Sequence, residues 1–161
     1  MSAKLSSLKV FRVRNSRRPL CLIFTIELAH RISREKPVII AVCEVKPKHA
    51  NEREVIEYDI DGFTIYHCNL DNKGGRGIAV YVHNSVVKSV SQIKTDVAFE
   101  ECCLLQVKFR GDDLMLFGCI YRSPTPSSAS VENNENLNKL TPPPVCKEIY
   151  VCIVGDFNLK S

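Results

Sequence analysis

Gly155-Asp-Phe-Asn158 closes a run of apolar β-formers, Ile149 to Val154, and sets a carboxylate two residues before a carboxamide. Apolar residues bounded by glycine read as a buried strand, and Asp156 and Asn158 leave its end on the same side. So placed, an acid and an amide can hold a metal-bound water, a phosphate oxygen or each other. Hydrolysis of a phosphate ester is therefore the first chemistry to test. A polar turn that merely ends the strand would use the same residue types. Two further apolar runs end in the same manner, Val38 to Cys43 in Glu44 and Leu114 to Ile120 in Tyr121-Arg122. Packing alone asks for none of these polar tips. Gathered on one rim of a β-sandwich, they are what a metal-dependent phosphoesterase needs.

Most of the chain reads as strands able to deliver those tips. Leu8-Lys-Val-Phe-Arg-Val-Arg14 alternates apolar and basic residues, as a strand does with one face on a core and one in water. Asn15-Ser16 breaks it. Pro19 suits the start of a helix in which Leu22, Ile26 and Ala29, with Leu28 and Ile32 beside them, form an apolar stripe until Lys36-Pro37 ends it. That stripe predicts packing on a sheet. The unbroken apolar run before Glu44 predicts a buried strand, and strand, helix, strand in this order fits a crossover unit or a mixed sheet equally well. Residues 46–61 are charged and loop-like.

Phe63 to Cys68 and Ile78 to Val82 flank Asp71-Asn-Lys-Gly-Gly-Arg-Gly77 and read as a β-hairpin around a glycine-rich connection. A phosphate-cradling loop is disfavoured there, because no Gly-Lys-Ser/Thr follows and no helix opens. Cys102 to Phe109 and Leu114 to Tyr121, joined by Arg110-Gly-Asp-Asp113, read as another antiparallel pair. Residues 123–147, with Pro124, Pro126 and Pro142-Pro-Pro144, read as a flexible loop insertion holding a short helical stretch around Glu132 to Leu140.

At 161 residues and 45% hydrophobic content the chain is expected to form one domain, 1–161, with a core of its own. A net charge of +4 permits a polyanionic partner without demanding one. The eight cysteines include no Cys-x-x-Cys pair, and Cys43, Cys119 and Cys152 sit inside apolar runs. Buried free thiols without disulfide partners are expected, in a reducing compartment, nucleus or cytoplasm. The basic stretch before Glu27 has the charge of a targeting peptide, but Leu20 to Leu28 lacks a small-residue cleavage site. No run reaches the length of a membrane span, so no membrane partner is expected.

Taken in order, Asn15-Ser16, Pro37 to Glu44, Lys73-Gly-Gly-Arg-Gly-Ile-Ala-Val-Tyr-Val82, Ile120-Tyr-Arg-Ser-Pro124 and Gly155-Asp-Phe-Asn158 form a series. In this order and spacing the series resembles the endonuclease/exonuclease/phosphatase superfamily, and within it the apurinic-type endonuclease domain that precedes reverse transcriptase in non-LTR retrotransposons. The resemblance implies a four-layered α/β sandwich, two mixed β-sheets face to face with helices outside, incomplete at its C-terminus. It implies a Mg²⁺ (or Mn²⁺) dependent phosphodiesterase that nicks the DNA backbone, with a reverse transcriptase domain as partner in a longer relative. Glu44 matches the metal-binding glutamate, and Asn15 the amide near the metal. Asp156 and Asn158 match the Gly-Asp-x-Asn motif, whose acid contacts the scissile phosphate or leaving oxygen and whose amide orients nucleophile and phosphate. Tyr121 matches the tyrosine that hydrogen-bonds a phosphate oxygen, with Arg122 beside it as a charge partner for the backbone.

Family members continue past Gly-Asp-x-Asn to a second aspartate and to a histidine that activates the attacking water. His30, His49, His67 and His83 all precede the motif and read as structural. A truncated fragment is thus expected, its activity impaired or absent, since loss of a general base costs about 10²- to 10⁴-fold in rate. Two other functions stay open on the sequence. One is a catalytically dead nucleic-acid-binding remnant with Arg12, Arg14, Arg17 and Arg18 on phosphates. The other is a phosphatase or phospholipase acting on inositol phosphates or lipid headgroups.

Overall fold

Ile39-Ile-Ala-Val-Cys43 is apolar throughout and rich in β-branched residues, so it can be stable only as a strand covered on both faces, and it is: β1 (Ile39–Cys43) is buried at every position. The computed structural model describes residues 22–45, 59–70, 77–85, 87–94, 101–109, 113–122, 131, 135, 136, 139 and 149–156. The strand expected over 8–14, Asn15, the connection 71–76 and Asn158 lie outside the described residues.

One sheet has the order β1-β3-β2, with β2 (Phe63–Cys68) and β3 (Ile78–His83), and both pairings are antiparallel. The other has the order β4-β5-β6-β7, with β4 (Val87–Ile93), β5 (Cys102–Phe109), β6 (Leu114–Tyr121) and β7 (Ile149–Asp156). Here β4, β5 and β6 run antiparallel in turn, and β7 lies parallel to β6. The second sheet is therefore mixed.

Alternation along each strand sorts the side chains into layers. Ile39, Ala41, Cys43, Ile78, Val80 and Val82 from the first sheet meet Cys103, Leu105, Val107, Met115, Phe117, Cys119 and Tyr121 from the second. This is the core between the sheets. Full burial of each such aliphatic or aromatic side chain contributes about 1.5–3 kcal/mol. The opposite face of the first sheet, with Ile40, Val42, Ala79 and Tyr81, is covered by α1 (Leu22–Glu35) through Leu28 and Ile32. Two facing sheets with a helix outside are the α+β sandwich the sequence led us to expect, although among the described residues the first sheet is antiparallel throughout rather than mixed. Residues 131, 135, 136 and 139 are helical too. No helix among the described residues is long and apolar enough to cross a membrane.

Three sequence expectations need correction, the first being the buried strand over Ile149 to Val154: β7 ends its sheet among the described residues, and Tyr150, Val151 and Ile153 on it are exposed. Ala29 does not belong to the buried stripe of α1: Leu28 is buried and Ile32 half-buried, whereas Ala29 is exposed. Residues four apart share a helix face, and Ala29 lies about 100° round from Leu28. The side chains of Leu22 and Ile26 lie outside the described residues. The third correction is β4, which the sequence reading left out. Val87-Lys-Ser-Val-Ser-Gln-Ile93 carries polar residues because it sits at an edge, where little burial is demanded.

Candidate active site at the sheet rim

The registers bring the polar tips to one end of the sandwich. Cys43 and Cys68 both pair with Ile78, so β1 and β2 finish where β3 begins. In the other sheet Ile120 pairs with Cys102 and Tyr121 with Asp156, so β6 and β7 finish where β5 begins. A hydrogen bond joins the two ends: the Tyr121 hydroxyl donates to Oε1 of Glu44 at 2.5 Å. That length is typical of a hydroxyl on an ionised carboxylate. Directly beneath it Cys43 Sγ lies 3.6 Å from Cys119 Sγ.

Glu44 follows the last residue of β1 with φ 58, a left-handed conformation that costs a non-glycine residue about 1–2 kcal/mol. The turn carries its half-buried carboxylate off the strand axis and over the gap between the sheets, where Tyr121 meets it. Strain of this kind persists where surrounding structure overrides it. Here Val45 anchors the far side, 1% exposed, its N–H donating to the Gly77 carbonyl.

Tyr121 is 2% exposed and ends β6 in the inter-sheet core. Its backbone N–H donates to the carbonyl of Glu101, and the next N–H, of Arg122, donates to the carbonyl of Asp156. Asp156 is 7% exposed at the tip of β7. Gly155 before it is required sterically, since a Cβ there would come within 1.8 Å of the Ile120 carbonyl oxygen. The Gly-Asp pair thus presses β7 against β6 and delivers the aspartate beside Tyr121.

Cys43 reports how close these groups are. Contact with Cys119 is the main influence drawing its thiol below the ordinary value; the Asp156 backbone N–H acts in the same direction. Burial opposes them most, and the charges of Asp156 and Glu44 add to it. Both carboxylates are near enough to be felt by one sulfur. Burial raises Cys102 and Cys103 to about 12, so these rim thiols stay protonated and behave as small apolar groups. None of the six described cysteines forms a disulfide.

Of the residues singled out from the sequence, Glu44, Tyr121, Arg122 and Asp156 share this rim, while Asn15 and Asn158 lie outside the described residues. His83 is at the opposite end, bonded through Nδ1 to Ser85, and His30 is on the exposed side of α1. Sequence reasoning missed Glu101, a carboxylate only 6% exposed where β5 begins. Nothing in Phe99-Glu-Glu-Cys102 separates it from the neighbouring Glu100; only the pairing with β6 does. Among the described residues no group of three or more His, Cys, Asp or Glu could enclose a metal ion. Glu44 fits the other mode of binding, a hard carboxylate oxygen with the remaining positions taken by water and substrate, as Mg²⁺ prefers.

Two facing sheets, a helix on the outer face of the first and acids and a tyrosine on one rim define a fold, that of the endonuclease/exonuclease/phosphatase proteins. A solved member described by that family name, from Bacteroides thetaiotaomicron, superimposes with TM-score 0.53 at 12% identity, over 82% of this chain and 53% of its own. D. rerio TDP2 complexed with single-strand DNA product gives 0.62 at 15% identity, over 94% and 60%. The AP endonuclease LMAP from Leishmania major gives 0.56 at 14%, over 81% and 47%. The chain therefore spans about half to two thirds of the structures it resembles. No family model matches the sequence, and no curated protein does.

Proposed function

We propose that this chain is the metal-binding and phosphate-binding part of a phosphodiesterase of the retroelement endonuclease type, acting on the DNA backbone in the nucleus or cytoplasm. The observation that carries the reading is the 2.5 Å bond from Tyr121 to Glu44 beside the buried Asp156. A buried tyrosine that bonds a metal-seeking carboxylate and ends its strand in register with a second acid is poorly explained by packing. It is well explained by a phosphate that must be gripped where the cation sits. Solved neighbours that include a TDP2 with DNA product and an AP endonuclease support the substrate class.

In this reading Glu44 would hold a divalent cation, Mg²⁺ or Mn²⁺. The cation supplies Lewis-acid polarisation of a phosphoryl oxygen when bound. Tyr121 turns its hydroxyl from Glu44 to a phosphate oxygen. Asp156 orients the entering water or the leaving oxygen with a carboxylate that is fixed by its strand. Arg122 attracts the flanking backbone phosphate, and Asn158 and Asn15 keep the roles that the motif resemblance assigns them. Preorganised groups of this sort are each worth about 10²- to 10³-fold in rate.

The test is conversion of supercoiled plasmid to open circles in Mg²⁺. Weak nicking is expected, in line with the impaired activity read from the sequence, that EDTA stops and that Glu44→Ala and Asp156→Asn each reduce further. Nicking retained in both variants, or salt-dependent DNA binding by a wild-type chain that never nicks, would defeat the proposal.

A further inference from the structure

Glu101 is the buried acid that the proposed mechanism leaves unused. It is 6% exposed, and its carbonyl receives the N–H of Tyr121 at 3.0 Å. The β5–β6 register, Cys102 on Ile120, sets Glu101 directly opposite Tyr121, and residues so paired place their side chains on one face about 4.5–5.5 Å apart at Cβ. That face is the inner one, since Tyr121 belongs to the core between the sheets and Cys103, two residues beyond Glu101, does also. A second sign agrees. The Cys68 thiol at the end of β2, in the opposite sheet, is raised by burial first and also by the charge of Glu101. The carboxylate thus reaches into the gap between the sheets.

On the other side of Tyr121, the β6–β7 register sets Asp156 directly opposite. A row runs across the sheet at the rim: Glu101, Tyr121, Asp156. Each flanking strand also lends a carbonyl to the end of β6, Glu101 to Tyr121 and Asp156 to Arg122. The phenol is thereby confined between two acids while its hydroxyl reaches across to a third, Glu44.

We infer that Glu101 is a positioning residue that holds the Tyr121 ring in the one orientation from which its hydroxyl meets Glu44 and the substrate phosphate. The inference deepens the phosphodiesterase reading and rests on it for its kinetic arm. Glu101 touches no reacting atom. It fills the space into which the ring would otherwise swing, so shape and polarity matter more than charge, and the isosteric amide substitutes for it. A ring displaced by about 1 Å can cost up to about a hundredfold in rate without changing substrate affinity.

Two measurements test this on the full chain. In plasmid nicking, Glu101→Ala is expected to lower kcat about tenfold with KM unchanged, Glu101→Gln to restore most of the loss, and Glu101→Ala to cost nothing further in a Tyr121→Phe background. In NMR spectra of chain carrying ¹³Cζ-labelled tyrosine, the Tyr121 resonance is identified among the five by its loss in Tyr121→Phe. It should keep its position in Glu101→Gln and move or broaden in Glu101→Ala. Should Glu101→Ala not fold, Glu101→Asp, one methylene shorter, replaces it with the same expected direction. An unmoved resonance, or losses that add in the double variant, overturns the positioning role whatever the chain cleaves. A wild type that nicks nothing defeats the nuclease reading instead, and the resonance still decides whether Glu101 sets the ring.

Discussion

At Glu44 the chain tolerates a left-handed backbone, φ 58, in a residue that would be more stable elsewhere. A strained site kept for its side chain has a signature in mutation. Replacement by alanine removes the carboxylate but keeps the strain, whereas glycine removes both. Glu44→Gly should therefore be more stable than Glu44→Ala by about 1 kcal/mol, the reverse of the usual order of the two residues. Both should be inactive. Urea denaturation of the pair reads the difference directly, and an alanine variant at least as stable as the glycine variant would show that the turn stores nothing. Glu44 was legible in the sequence because an acid abruptly ended an apolar run, and Tyr121 and Asp156 for the same reason. Glu101 was not, since its burial comes from the opposing strand rather than from its neighbours in the chain.

At the scale of elements, strands buried on both faces announced themselves: β1, β3 and β6 are runs whose apolar character has one explanation. The edge strand β4 did not, because an edge asks little of composition. Helix α1 was legible as an element, but its stripe was misread by one residue. The joint between β6 and β7 positions the site most tightly. Gly155→Ala would drive a Cβ against the Ile120 carbonyl oxygen, where only backbone can yield. We expect a loss of about 3 kcal/mol or more together with loss of nicking, read from a urea midpoint and the plasmid assay. A variant that melts like wild type would mean that β7 is not held in this register.

The start of β5 makes a different prediction. Burial pushes the Cys102 and Cys103 thiols from the ordinary 9.0 up to about 12. The folded chain thus keeps protons that the unfolded chain releases. The stability they contribute is complete below pH 9.0 and is lost as pH rises toward about 12. Urea midpoints should fall over that window, and the fall should be shallower in the Cys102→Ala, Cys103→Ala double variant. Equal slopes in the two proteins would place the alkaline sensitivity elsewhere.

For the whole molecule, the two sheets cohere through the side chains between them, yet β7 ends its sheet with one flank unpaired among the described residues. Tyr150, Val151 and Ile153 on that strand are 56%, 57% and 43% exposed. A long apolar edge is a template for another chain. It should make self-association, rather than unfolding, the first failure of this protein at high concentration. Ile153 is a poor site for a test because its Cδ1 crowds Gly118. Val151 pairs with Leu116 in register but leaves its side chain in solvent, so Val151→Lys alters the edge and spares the core. Stability should shift by no more than about 0.5 kcal/mol, as for most surface substitutions. Light scattering at equal concentration and temperature should nevertheless grow more slowly in the lysine variant, most clearly at low salt where the added charges repel. If scattering grows as fast as in wild type while the melting temperature is unchanged, association proceeds through some other surface and β7 is not its template.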